Sequence, residues 1–511
     1  MTTRLSQSGL WEHQRAYYHK QGVQAWNTGT VPHYVTNNPI IGDAYADLII
    51  AHLDDLEREG ALDPAQPVCI VEMGGGSGRL AYYILRRLDK FREQLPVQLR
   101  YVLTDFTTTN LEHWREHPKF TPYFEQELLD LAVFDAETTD ELVLEKSGLK
   151  LDGSGNPVFF IANYVFDSIP LDCFRIHQGT LQEAHAAVTY GEEAISIEYN
   201  YQDAEESPYG RKDYDSILRQ YRERLGDTHF LFPVGPLRCL ENLTKIAGSS
   251  LCLLTADKGW TRWEEFVGLG PPPLVEHGSF SLNVNFHSMG LYWEDLGGQF
   301  LCNSQREAML DICCFSMGLP DAALKRTKRM FADKVESFGP LDFLNLRNAI
   351  TEATPRDKRS LRLCLELLRL SHWDAEVLYE FADPLATGSE NVSAKEKREI
   401  FVTLSKVWAN YFPIGETKDV PFEIARILFR LEYYEPSLTF YEESLRLFGT
   451  HKMTFHNMGL CYYYLRRLEQ AKASFEKSLE LDPGYGVARD WLLRLAPEIE
   501  ESGTFSAVAI G

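Results

Sequence analysis

Val68-Cys-Ile-Val-Glu-Met-Gly-Gly-Gly-Ser-Gly-Arg-Leu80 is the stretch on which the fold turns. Val68, Ile70 and Val71 are apolar and β-branched, the composition of a strand covered on both faces. Gly74, Gly75, Gly76 and Gly78 follow. Without Cβ atoms the backbone there can bend sharply, and a ligand can lie close against it. Arg79 to Leu88 then carries apolar residues at helical spacing. Strand, glycine bend and helix in that order predict a doubly wound α/β sheet of Rossmann type. A nucleotide-like ligand is expected at the carboxyl end of the strand.

Two frames fit the bend. Gly76, Gly78 and Ala81 satisfy G-x-G-x-x-A, a dinucleotide fingerprint. Glu72-x-Gly74-x-Gly76-x-Gly78 satisfies the loop that holds S-adenosylmethionine (SAM) in methyltransferases. The carboxylate separates them. A pyrophosphate is anionic and is repelled by Glu72, whereas SAM carries an ammonium and a sulfonium. Leu99-Arg-Tyr-Val-Leu-Thr-Asp105 reads as a second strand ending in an acid placed for ribose hydroxyls, with Phe106 next to it. Asp105 supports a nucleoside of either class.

Composition narrows the partners. The chain has 511 residues, room for two to four domains. Lys+Arg is 51 against Asp+Glu 74, a net charge of −23, which argues against a nucleic-acid backbone as substrate. The nine cysteines form no C-x-x-C pair, so neither zinc nor a disulfide framework is predicted, and no metal is expected. No apolar run reaches the ~18 residues of a membrane span, and the first residues lack an apolar leader core. A cytoplasmic setting is the expectation.

In chain order, residues 1–60 read as a helical N-terminal segment. Two helices flank a polar-aromatic loop containing Trp26, His33, Tyr34 and Thr36, well placed to cover the ligand or to serve as a structural arm. Residues 61–335 read as the nucleotide domain, with an inserted substrate region at about 176–248. Leu131-Ala-Val-Phe-Asp135-Ala136 offers an acid for an adenine amine. Val158 to Asn163 is a strand whose end reaches the site, with Tyr164, Asp167 and Pro170 in the loop beyond; Asp167 is either an acceptor-facing acid or a helix cap. Gln182 to Gln202 alternates like a hairpin. Ser281 to His287 alternates and reads as a late strand, with His287 a candidate base or a structural histidine. Residues 340–500 read as nearly all helix, followed by a tail at 501–511. Ala425 and Gly459, Ser437 and Ala471, Tyr441 and Phe475, and Leu445 and Leu479 each recur 34 positions apart. That is the period of tetratricopeptide (TPR) helix pairs, which stack and offer a concave peptide-binding surface. A structural brace or a dimer contact is the alternative use.

With these residues laid out, 17–310 resembles the MidA-like SAM-dependent methyltransferases. This family includes the mitochondrial complex I assembly factor that methylates a protein arginine. The likeness runs through Tyr17-Tyr18, Gly22, Gly29 and His33-Tyr-Val-Thr36-Asn-Asn-Pro39. It continues through Glu72-Met-Gly-Gly-Gly-Ser-Gly-Arg-Leu80 and Ala162-Asn-Tyr-Val-Phe-Asp167-Ser-Ile-Pro170. It ends in Asn283-Val-Asn-Phe286 and Ser304-Gln305. The resemblance implies a class I methyltransferase sheet using SAM. The family carries Glu where this chain has Tyr164, and a tyrosine cannot hold a guanidinium in a bidentate pair.

Together these readings assign Glu72, Gly74, Gly76, Gly78, Asp105, Phe106, Asp135, Ala136, Asn163 and Thr36 to the cofactor. They assign Asp167, Asn163 and His33 to catalysis, and Tyr17, Tyr18, Tyr164 and His287 to the substrate. The expected function is methyl transfer to a protein or peptide side chain, arginine included, with the TPR stack recruiting it. Two alternatives stand beside it. One is a small-molecule methyltransferase whose TPR stack serves assembly, as in a homodimer. The other is an idle SAM fold acting as an adaptor.

Overall fold

The computed structural model of the chain describes residues 2–508 apart from 28, 30, 32, 192–194 and 304–309. The expected late element at Ser304-Gln305 lies outside the described residues. The chain divides into two compact units, Met1–Leu344 and Asn345–Gly511.

The first unit is built on a seven-stranded sheet. Its strands are β1 (Val68–Glu72), β2 (Leu99–Asp105), β3 (Leu129–Val133), β4 (Val158–Asn163), β5 (Leu251–Asp257), β6 (Gln299–Cys302) and β7 (Asp311–Met317). The order is β6-β7-β5-β4-β1-β2-β3. All pairings from β5 to β3 are parallel, while β7 runs antiparallel to both neighbours. Every residue of β1 is buried, as its β-branched sequence requires. The order reverses between β1 and β4, so the crevice for a ligand opens at their carboxyl ends.

Three helices shape that crevice: α1 (Leu10–Gln21), α2 (Pro39–Arg58) and α3 (Arg79–Phe91). α2 starts sharply because Asn38 Oδ1 accepts the Ile40 and Ile41 N–H groups at 3.1 and 3.2 Å, with Pro39 as first helical residue. α2 and α3 approach closely at Gly42, where a Cβ would lie 2.5 Å from that of Tyr83.

The inserted region differs in extent from the expected 176–248. A second, antiparallel sheet runs from Asp172–His177 through the hairpin Thr180–Tyr190 and Ile195–Asp203 to Thr228–Phe232. Val234–Ala247 is instead a helix of the main domain. Its Leu237, Leu240, Leu243 and Ile246 are fully buried in the core that holds Phe160 and Leu251. The same core holds Phe174, Tyr214 and Phe230, so the helix packs against the main sheet and the inserted region together. The N-terminal residues are also more than a cover. Thr3–Arg4 adds a short strand to the second sheet, and Arg4 pairs with Glu183.

The reading of Ser281 to His287 as a strand needs correction. Ser281 ends the short strand Ser279–Ser281, Val284–Asn285 is a separate two-residue strand, and Phe286–Asp295 is a helix capped by Asn285, whose Oδ1 accepts the Ser288 N–H at 2.9 Å. The alternation is too short to outweigh an asparagine cap ahead of an apolar helix.

The second unit is helical. Val420–Arg430, Tyr434–Phe448, Lys452–Tyr464 and Leu468–Leu481 form two antiparallel pairs, followed by Gly486–Val508. The repeat positions do what their sizes allow. Ala425, Ser437, Ala471 and Phe475 are fully buried, and the Ser437 hydroxyl donates to the Ala425 carbonyl at 2.7 Å. A Cβ on Gly459 would fall 2.6 Å from the Phe475 ring.

Candidate active site

A cleft open to solvent lies over the glycine bend. Gly74, Gly76 and Gly78 all take positive φ, at 61°, 53° and 79°, which explains three glycines in one turn. A Cβ on Gly76 would meet the Trp26 ring at 3.1 Å, so the indole roofs the bend. The bend is fixed from below: Gly75 N–H donates to Thr104 O at 2.9 Å, and Trp114 Nε1 donates to Gly76 O at 3.1 Å. Gly78 does not reach the cleft. Its Cβ position faces Phe120 and Trp114 at 3.0 Å, and it serves the entry into α3. Its expected ligand contact is therefore replaced by packing.

Of the expected residues, Glu72, Gly74, Gly76, Asp105, Phe106, Asp135, Ala136, Asn163, Thr36, Asp167, His33, Tyr18 and Tyr164 all line this one cleft. Glu72 is buried, and burial pushes its carboxyl up to about 8 despite the Tyr101 hydroxyl donating to it at 2.5 Å. Asp105 is raised by burial too. It accepts from Thr107 N and Oγ1 at 2.9 and 3.0 Å and from Asn110 Nδ2 at 2.9 Å. Burial pushes Asp135 upward, but Arg15 and the Glu137 N–H outweigh it and hold the carboxyl below its ordinary range. Arg15 Nη2 donates to Asp135 at 2.6 Å, with the guanidinium 4.9 Å over the Phe106 ring. Asn163 works as a brace: it accepts the Tyr45 hydroxyl at 2.8 Å and donates to Thr36 O at 3.2 Å. Tyr164 sits at φ 53°, an unfavourable region for a bulky residue, its N–H held by Ala256 O at 3.0 Å.

Two expected substrate residues lie elsewhere. Tyr17 faces a second cavity with His13, Tyr190, Glu276 and Phe280, because one position along α1 from Tyr18 turns the ring away. His287 is buried among Trp263, Tyr221 and Phe266, its Nδ1 2.7 Å from the Tyr221 hydroxyl, and burial lowers it to about 4. It is a core histidine and not a base.

Trp26, Thr36 and Asn37, from the expected covering loop, line the cleft, and the structure adds lining residues that no motif marks: Gln14, Arg15, Asn110 and Lys258. Gln14 Oε1, Asn37 Oδ1 and Asn110 Oδ1 are buried and have no hydrogen-bond partner among the described residues. Three orphaned acceptors, with the carboxyls of Glu72, Asp105, Asp135 and Asp167, suit a ligand rich in N–H and O–H donors and positive charge. SAM, with its ammonium, ribose hydroxyls and adenine amine, fits this set. A pyrophosphate does not, because Arg15 is already paired and the bend stands beside Glu72.

Two stretches of the chain match known families. Residues 56–245 match a family model described as "Putative S-adenosyl-L-methionine-dependent methyltransferase", and residues 453–485 match one described as "Tetratricopeptide repeat". No curated protein matches the chain. Among solved structures, a protein from Burkholderia thailandensis bound to S-adenosyl-homocysteine is 13% identical. Its match covers 57% of this chain and 80% of that one, at a TM-score of 0.38. The 1,6-didemethyltoxoflavin-N1-methyltransferase of the same organism is 9% identical over 60% and 90% of the two chains, at 0.30. MamA from Desulfovibrio magneticus is 17% identical over 32% and 88%, at 0.25. Scores this low say nothing about substrate.

Proposed function

We propose that the chain, an S-adenosyl-L-methionine-dependent methyltransferase carrying a tetratricopeptide repeat, methylates a protein or peptide side chain recruited by the helical repeats. The observation that carries the donor assignment is the acceptor-lined cleft over the glycine bend. In this reading Gly74 and Gly76 let the methionine end lie against the backbone, with Glu72 and Asn37 receiving its ammonium. Asp105 and Asn110 take the ribose, and Asp135, Phe106 and Ala136 the adenine. Bound there, SAM supplies a methyl group on a sulfonium, already activated for displacement. The protein contributes alignment, exclusion of water by Trp26, Tyr18 and His33, and a group to receive the acceptor's proton. Asp167, buried at the cleft wall and raised by burial, is that group. Asn163 and Thr36 keep the loop in place.

Support for a macromolecular acceptor comes from the repeats, whose stacked pairs are the usual platform for extended peptides. One observation favours a small acceptor instead: Asp167 is only 5% exposed, so the acceptor must reach inward as a slender group. Arginine is the less favoured side chain, since Tyr164 offers no carboxylate. We place the chain in the cytoplasm; among the described residues no helix is long and apolar enough to cross a membrane, and the cysteines are mostly buried.

Equilibrium dialysis with labelled SAM tests the donor site. Gly76→Arg is expected to weaken binding at least ~100-fold, because the side chain enters the cleft and the left-handed backbone is strained. Undiminished binding refutes the site. Full-length enzyme with deuteromethyl SAM, added to a cell extract and read by mass spectrometry, tests the acceptor. Labelled protein side chains support the reading, and label confined to small molecules overturns it.

A further inference from the structure

β5 ends on Asp257, and its carboxyl is fully buried. Asp257 Oδ2 accepts the Asp167 N–H at 3.1 Å, and Oδ1 accepts the Lys258 N–H at 2.9 Å. The two carboxyls also share a direct side-chain hydrogen bond. Asp167 lines the cleft and its Oδ1 accepts the Ser168 hydroxyl at 2.7 Å, while Asp257 stands behind it, off the lining. We propose that Asp257 is a positioning residue for methyl transfer, sharing one proton with Asp167 so that the pair presents a single negative charge to the acceptor. This rests on the reading of the cleft given above.

Two buried carboxylates in hydrogen-bond contact do not both ionise. Burial raises both groups. Asp257 is raised further, well above the carboxylate range, because the Asp167 charge adds to burial. Asp167 is relieved by Ser168, by Lys258 and by Asp257 itself. The shared proton therefore stays on Asp257, and Asp167 is the ionised member. The other groups facing the pair are Tyr18 from α1, Tyr164 beyond β4, Lys258 beyond β5, and Asp311 and Cys313 from β7. Asp311, the ladder partner of Asp257, is itself pushed up to about 7 by burial.

In the reaction the acceptor's lone pair forms the bond to the methyl carbon. The carbon–sulfur bond breaks with its electron pair going to sulfur, and the acceptor's proton passes to Asp167. The dyad then holds two protons and no charge. A lone Asp167, buried and without that donor, would rotate freely and ionise only at higher pH. With Asp257 donating to it, the carboxylate is held in one orientation and stays ionised, free to receive the acceptor's proton.

The full-length chain, labelled with carbon-13 at aspartate side-chain carboxyls, is titrated by NMR, and SAM binding is measured on the same sample. One of the two carboxyls is expected to stay protonated at neutral pH while the other is ionised. Asp257→Asn, an amide that donates more weakly than a carboxylic acid, is expected to raise the Asp167 midpoint by about half a unit or more, whereas water entering through mere loss of packing would lower it. Asp167→Asn is expected to lower the Asp257 midpoint in return, since the coupling is reciprocal. Two ionised carboxyls at neutral pH in the unsubstituted chain overturn the proposal, as does an unmoved partner in either folded variant. Should Asp257→Asn fail to fold, the unsubstituted chain and Asp167→Asn decide it. Absence of SAM binding overturns the reading of the cleft instead, and leaves the titration to be read on its own.

Discussion

Glu72 shows how one residue can carry the right sign for a different reason from the one its sequence position suggests. Beside the glycine bend it reads as a fixed negative charge. In the fold it is buried, and burial raises it to about 8, so the ligand-free cleft at neutral pH holds mostly the acid form. Cationic ligands favour its ionisation, which still selects against phosphates. The linkage sign follows. The folded group binds its proton more tightly than the unfolded one, so the native state holds more protons between about pH 4.5 and 8, and stability falls as pH rises through that window. Glu72→Gln removes the dependence. The variant is expected to be more stable than the unsubstituted chain at pH 7, by roughly 2–3 kcal/mol. It is also expected to bind SAM at least ~10-fold more weakly. Thermal unfolding and calorimetric binding at the same pH check both; loss of stability together with affinity would show that Glu72 serves structure instead. Glu72, Asp105 and Asp135 were legible because each ends or closely follows an apolar strand. Arg15 and Asn110 were not, because nothing local marks which polar residue of a helix folds over a cleft.

At the scale of elements, periodicity told helices from strands wherever the segment was long. The hairpin of Thr180–Tyr190 and Ile195–Asp203 stands close to its expected span of Gln182 to Gln202. Periodicity failed at Ser281 to His287, where seven residues are too few to separate alternation from a capped helix start, and His287 went with it into the aromatic core. The repeat unit was legible for another reason: a 34-residue period constrains two helices at once, so small and aromatic positions must correspond. Gly459 tests this. With the Phe475 ring already 2.6 Å from its Cβ position, Gly459→Leu forces Lys452–Tyr464 and Leu468–Leu481 apart. Overpacking is expected to cost about 2–3 kcal/mol, more than the roughly 1 kcal/mol by which replacing glycine favours a helix. Urea unfolding followed by circular dichroism reads it, and an unchanged midpoint would mean that the two helices do not meet there.

For the molecule as a whole, charge sets what can approach. With a net charge of −23, the chain is expected not to retain duplex DNA or RNA at physiological salt. Fluorescence anisotropy with a short duplex checks this, and a dissociation constant tighter than ~10 μM would reveal a basic surface that the total conceals. The sequence by itself determined the class of sheet, the bend and its three strand-end acids, and the change to helical repeats. Each of these is a local pattern: burial on two faces, backbone freedom at glycine, a period along the chain. Only the tertiary structure decided that Gly78 packs against Trp114 and Phe120, that Arg15 closes on Asp135, and that Asp257 stands behind Asp167. Those contacts join residues far apart in the chain. The protonation they impose on buried carboxyls depends on the surrounding atoms, which no single stretch of sequence contains.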